Sequence, residues 1–232
     1  MKEILLVTSG KGGVGKSTLS ALISLKLSSR KKVLIIDSDL GLNNLDIIFN
    51  IKSNQYDILD VVKGRCNLSD AFIKVKENLY LLNLCISISV DKYPDDLLEA
   101  IIEYVKDEFE YIIIDSPAGI EKGFNNALKV ANKVVVVLND ELTSYEDARK
   151  IKRLCSINNI KNIIYVMNRF NKKESVKEYI RTRITHYLSE KNLLYINSIQ
   201  GSIYKKFRIL SHDKEFLKLI FQINNGNVVK VF

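Results

Sequence analysis

Seven short, nearly continuous apolar runs punctuate the chain, at residues 4–9, 33–37, 79–84, 111–115, 134–138, 163–167 and 193–196. Runs of this length without polar alternation predict strands buried on both faces, as in a parallel sheet. Between them, apolar residues fall at helical spacing. After residue 16 they are Leu19, Leu22, Ile23 and Leu27, and over 95–108, behind Pro94, they are Leu98, Ile101, Ile102 and Val105. Over 173–190 they are Val176, Ile180, Ile184 and Leu188, and over 213–223 they are Phe216, Leu219, Ile220 and Ile223. Residues 56–64 and 68–72 read as two shorter helices. The helix after the fifth run carries Thr143 and Glu146 at capping-box spacing, with Lys150, Lys152 and Arg153 placed in its last turn. Strands alternating with helices predict an α/β fold: a single-domain doubly wound, mostly parallel sheet with helices on both faces, spanning residues 1–232.

Composition agrees with that size of core. Of 232 residues, 47% are hydrophobic, and two prolines and ten glycines leave no linker-like tract. Cys66, Cys85 and Cys155 are scattered without C-x-x-C spacing, and the chain opens directly into a strand, which reads as a reduced, cytoplasmic protein. The net charge of +8 is unevenly placed. Residues 151–232 hold 16 Lys+Arg against 5 Asp+Glu, so the basic character belongs to the C-terminal third and the remainder is slightly acidic. Such a footprint suits nucleic acid, an anionic membrane surface, or simply a solvated face.

The chemistry is concentrated just after the first run, in S-G-K-G-G-V-G-K-S-T over residues 9–18. Gly10, then four residues, then Gly15, Lys16 and Ser17 complete the G-x-x-x-x-G-K-[ST] pattern between a strand and a helix. Glycines bring backbone N–H groups close to phosphate oxygens, and the positive end of the following helix points at the same place. Gly10, Lys11, Gly12, Gly13, Val14, Gly15, Lys16, Ser17 and Thr18 are the candidate nucleotide-binding residues, with Lys16 reaching the terminal phosphates and Ser17 ligating Mg²⁺. Two later runs end in carboxylate, at Asp37 and Asp115. Buried strands ending in carboxylate beside a phosphate loop are costly unless a cation is there.

The additional Lys11 gives the loop the form K-G-G-x-G-K-[ST]. With D-S-D-L-G-L-N-N-L-D at 37–46 and I-I-I-D-S-P-A-G at 112–119, it resembles the MinD/ParA group of deviant P-loop ATPases, and within it the MinD branch more than the plasmid-partition branch. The resemblance reaches to about residue 223. It implies that Lys11 acts in trans on the nucleotide of a second subunit, so that ATP drives homodimerisation. Asp37 and Asp115 would meet Mg²⁺ through water, and Asp39 would orient the attacking water, making Lys11, Lys16 and Asp39 the catalytic candidates. Asn44, Asp46 and Gly119 would lie on a nucleotide-sensing switch or partner surface. Asn168 and Arg169, the N-R pair closing the sixth run, would read the purine, the carboxamide pairing with adenine.

The implied function is slow ATP hydrolysis to ADP and phosphate, stimulated by an activator, controlling placement of the division septum together with effector proteins. The chain departs from the family in three places. Asp140 replaces a customary proline, the stretch N-S-I-Q-G-S at 197–202 lacks a proline that packs on the base, and residues 227–232 are too short for a membrane-binding amphipathic helix. A peripheral position at the inner face of the cell membrane, a DNA-partition role for the basic third, and a nucleotide-binding scaffold with little turnover therefore all stay open. No cysteine lies near residues 115–119, which argues against the cluster chemistry of the related nitrogenase iron protein.

Overall fold

The computed structural model describes residues 3–38, 44–52, 55–84, 94, 96–170, 174–188 and 193–225. Eight strands among them form one sheet: β1 (Glu3–Thr8), β2 (Val33–Asp37), β3 (Ile73–Lys76), β4 (Leu79–Asn83), β5 (Tyr111–Asp115), β6 (Lys133–Leu138), β7 (Ile163–Met167) and β8 (Leu193–Tyr195). Their order is β3-β4-β2-β5-β1-β6-β7-β8. Every neighbouring pair is parallel except β3 with β4. The helices are α1 (Lys16–Leu27), α2 (Asn44–Phe49), α3 (Ile58–Val62), α4 (Leu97–Val105), α5 (Lys122–Val130), α6 (Leu142–Ile157), α7 (Glu174–Leu188), α8 (Ile203–Leu210) and α9 (Lys214–Asn225).

The strands are apolar on both faces because both faces are covered. Leu5 and Val7 of β1 join one core with α1, α2, α8 and α9, whereas Leu6 joins another with α3 to α7. Each such side chain is fully buried, which contributes about 1.5–3 kcal/mol apiece. Alternation within a continuous apolar run therefore decides only which layer a residue packs into.

The topology fixes where chemistry sits. β1 lies between β5 and β6, so the chain leaves it through α1 toward β2 on one side, while the crossover from β5 through α5 returns to β6 on the other. That reversal opens a crevice at the carboxyl ends of the strands, where the loop after β1 emerges.

Several sequence expectations change. β3, with the alternation I-K-V-K, is an additional antiparallel edge strand, making eight rather than seven. Residues 68–71 form a 3₁₀ turn rather than an α-helix. Thr143 does not cap α6: the N-cap is Glu141, and no side chain caps the helix there. Nor are Lys150, Lys152 and Arg153 in the last turn, because α6 runs on to Ile157. Lys152 instead reaches across to donate to the Leu188 carbonyl at 2.5 Å, satisfying the end of α7. His186 and His212 are exposed.

Candidate functional site

The loop after β1 ends in Gly15, which is left-handed (φ 95°) and serves as N-cap of α1 without any side-chain hydrogen bond. A helix start of this kind leaves N–H donors aimed outward with the helix dipole behind them. Lys16 is buried at 7% exposure, and Val14 is buried beside it. The loop is braced by the helices around it. A Cβ on Gly10 would overlap Asp147 of α6, and one on Gly15 would overlap the Asn168 amide nitrogen. Gly12 and Gly13, by contrast, face open space.

Asp37 and Asp115 are register partners on β2 and β5, and both are fully buried. The Leu45 N–H donates to Asp37 Oδ2 at 3.1 Å, and the Ser20 hydroxyl donates to Asp115 Oδ1 at 2.9 Å. Ser38 ties the two strands together, its N–H and hydroxyl donating to the Asp115 carbonyl at 3.0 and 2.8 Å. Two buried carboxylates on adjacent strand ends repel one another unless a cation is shared between them. With the Ser17 hydroxyl one helical turn before Ser20, the donor set is oxygen only and suits a hard divalent ion such as Mg²⁺. Among the described residues, no three Asp, Glu, His or Cys side chains gather to hold a metal by themselves. These residues therefore fit an ion that also draws ligands from phosphate and water.

Lys11 lies on the outer side of the loop, 37% exposed, and its ammonium meets Glu141 Oε2 at 2.6 Å. Glu141 accepts from Asn139 Nδ2 at 2.6 Å through its other oxygen. The Lys11 hydrogen bond and charge hold the Glu141 carboxyl below the usual carboxylate range. Gly119 (φ 93°) donates its N–H to the Ser9 carbonyl at 3.0 Å, linking the loop after β5 to the phosphate loop.

Beyond the loop a cavity of about 320 Å³ is lined by Thr18, Asn168, Arg169, Ile196, Lys206 and Leu210, among others. Asn168 Nδ2 donates to the Val14 carbonyl at 2.8 Å, which fixes the carboxamide's orientation. Arg169 is left-handed (φ 55°) immediately after it. One cavity wall is thus bonded directly to the phosphate loop.

A family model described as an AAA domain matches residues 2–173. The septum site-determining protein MinD of Synechocystis is 39% identical over 173 residues, 73% of this chain and 65% of that protein. MinD in the MinC:MinD cell division protein complex of Aquifex aeolicus is 35% identical, with a TM-score of 0.75 over 96% of this chain and 94% of that one. The chain belongs to the MinD/ParA family of P-loop ATPases. The MinD of Pyrococcus horikoshii, complexed with Mg-ADP, is 24% identical and shares the fold at a TM-score of 0.81 over 100% of this chain and 99% of that one. The match spans less than two thirds of the MinD proteins of Synechocystis and Bacillus subtilis, 65% and 58% of their lengths.

As a MinD/ParA chain, it gathers Lys11, Lys16, Ser17, Asp37, Asp115 and Gly119 at one sheet edge and Asn168 and Arg169 at the adjoining cavity. Asp39 and the Asn44 side chain lie outside the described residues, as do Cys85, Lys172, Lys173 and the tail 227–232. Asp46 is buried at 8% exposure and accepts from Asn83 Nδ2 at 2.6 Å, so it anchors α2 to β4 rather than presenting its carboxylate to a partner. Ile47, 80% exposed, is what α2 shows to solvent. Asp140, standing where the family has proline, accepts the Tyr145 hydroxyl at 2.6 Å. Burial, with Asp140 adding to it, pushes the Tyr145 hydroxyl well above its ordinary pKa.

Ser20, Ser38 and Glu141 were not among the residues the sequence singled out, and Lys206 stood out only as one of the cations of the basic C-terminal third. Ser20 left a signal nonetheless, a small hydroxyl among buried positions of α1 and one turn beyond Ser17.

Proposed function

We propose that the protein is an ATP-dependent dimerising switch of the MinD type, hydrolysing ATP to ADP and phosphate in the cytoplasm and helping to place the division septum. The observation that carries this reading is the uncapped start of α1 beside the buried, register-paired Asp37 and Asp115. Backbone donors of the loop and the Lys16 ammonium hold the phosphates, and the Ser17 hydroxyl faces the ion. Mg²⁺ held there would supply positive charge against the negative charge that develops on the phosphates. Asp37 and Asp115 orient that ion's water, with Ser20 holding the Asp115 carboxylate in place. Asp39 is assigned the orienting of the attacking water by the family resemblance.

Lys11 supplies positive charge to the nucleotide of a second subunit, which requires it to leave Glu141. The pair is exposed, and such pairs contribute little. The exchange is therefore cheap, and the bound nucleotide makes the joined state the more stable one. Hydrolysis removes the charge that Lys11 engages, and the subunits part.

The basic C-terminal third favours one rival, a partition ATPase bound to duplex DNA. Three of those sixteen cations lie against aromatic rings of the protein itself, however. Lys177 lies over Phe170 and Tyr195, Arg181 over Tyr195, and Arg183 over Tyr145 and Tyr179, at 5.6–5.8 Å from the ring centres. Phosphate release with Mg-ATP, compared between wild type and Lys16→Ala, tests the enzymatic reading. Release that depends on Lys16 is expected, and its absence even with activator would leave a nucleotide-binding scaffold. Co-sedimentation with anionic liposomes and with duplex DNA, in ATP and in ADP, identifies the platform. ATP-dependent pelleting with DNA alone would replace the septum reading by the partition one.

A further inference from the structure

One wall of the cavity beyond the phosphate loop is supplied by α8, through Lys206 and Leu210. Lys206 also lines an adjoining cavity of about 200 Å³ bounded by Ile47 and Ile48 of α2 and by Ser202, and Thr18 is common to both. The lysine therefore stands where the two spaces meet, beside the helix that begins at the loop. It is half-buried, whereas Lys205 and Arg208 on the same helix are exposed. Among the described residues its ammonium pairs with no carboxylate within 4.0 Å. A half-buried lysine lining a cavity gives up hydration that an incoming acceptor would restore.

Arg169, Asn197, Ser198 and Gln200 also line the cavity, and within that polar lining Asn168 and Lys206 together say which base suits it. One of the two N–H groups of the Asn168 amide goes to the Val14 carbonyl, and the carboxamide oxygen remains to accept. Lysine offers three donors and no acceptor. A base that suits this pair presents an amino group to Asn168 and a bare ring nitrogen to Lys206. Adenine has that combination at its N6 donor and N1 acceptor, whereas guanine carries a proton on N1. Guanine sets its O6 acceptor where adenine has N6, against the Asn168 oxygen.

We infer that Lys206 is a base-specificity residue, donating from α8 to N1 of the bound adenine, beside the Asn168 carboxamide. The inference rests on the nucleotide-binding reading above and deepens it. The lysine belongs to binding and discrimination, and the phosphate loop functions without it.

The test is binding of ATP, GTP and inorganic tripolyphosphate, each with Mg²⁺, to wild type, Lys206→Ala and Lys206→Arg by isothermal titration. Wild type should prefer ATP to GTP, and ATP to tripolyphosphate. Lys206→Ala should weaken ATP about tenfold to a hundredfold, the range of a charged hydrogen bond, and leave tripolyphosphate unchanged. Lys206→Arg should restore a large part of the loss. ATP affinity unaltered by Lys206→Ala overturns the inference, as does an equal loss for ATP and tripolyphosphate, which would mark a general charge or folding effect. If wild type binds neither ATP nor tripolyphosphate, the nucleotide-binding reading fails with it; if both bind normally and only the lysine is silent, that reading stands.

Discussion

Gly15→Ala perturbs the joint between the phosphate loop and the cavity wall. Gly15 holds φ 95°, and a Cβ there would overlap the Asn168 amide nitrogen, which bonds the Val14 carbonyl at 2.8 Å. Left-handed backbone costs an L-residue about 1–2 kcal/mol. Displacing Asn168 forfeits a hydrogen bond with a net value of about 0.5–1.5 kcal/mol. Together the loss is about 1.5–3.5 kcal/mol, which in a chain of this size lowers the melting temperature by about 3–14 °C. Gly12→Ala is the matched control, since nothing lies within 4 Å of its Cβ, and it should change stability by less than about 0.5 kcal/mol. The chain contains no tryptophan, so thermal and urea unfolding are followed by far-ultraviolet circular dichroism. Equal melting temperatures for the two variants would refute the reasoning, for then neither the backbone sign nor the Asn168 contact constrains the loop.

Three further outcomes follow from single side chains. Lys133 is 1% exposed, meets Glu3 at 3.3 Å and donates to the carbonyls of Gln222 and Ile223 at the end of α9. Lys133→Met should therefore cost about 3 kcal/mol in urea unfolding, whereas Lys31→Met, which breaks an exposed pair with Glu110, should leave the midpoint in place. Glu141 sits below its ordinary value of 4.5 in the folded state, so what its pairing with Lys11 contributes is present in full above that pH. It is lost as the pH falls through the lower folded-state value. A carbon-detected NMR titration should show this depressed midpoint and its return toward the ordinary value in Lys11→Ala. Burial pushes the Cys155 thiol up to about 12, so iodoacetamide at pH 8 should modify it only after unfolding, as peptide mass mapping would report.

The parallel strands were legible because their signal is local. β2, β5 and β7 coincide with the apolar runs, and the carboxylates that end β2 and β5 came with them. The phosphate loop was legible because its glycines and lysines have to be contiguous to work. What escaped the sequence depends on distant partners. β3 alternates apolar and charged residues over only four positions, too few to declare a strand before β4 is there to pair with it. α5 carries Gly123 and two asparagines in nine residues and is held by Phe124, Ala127 and Leu128 against the core rather than by propensity. Lys133 reads as the polar start of a strand until the carbonyls of α9, some ninety residues later, arrive to accept its protons. Asp46 reads as a surface carboxylate until Asn83 of β4 is seen to bind it. Glu141 and Lys206 likewise acquire meaning only from what folding sets beside them, the loop lysine in one case and the cavity in the other.

The central claim is that nucleotide at this loop joins two subunits through Lys11. Sedimentation velocity with Mg-ATP and with Mg-ADP, on wild type and Lys11→Ala, tests it most directly. The account predicts a shift from monomer to dimer for wild type in ATP alone, with Lys11→Ala staying monomeric in both. A wild type that sediments identically in ATP and ADP, or a Lys11→Ala variant that dimerises as readily, would contradict it.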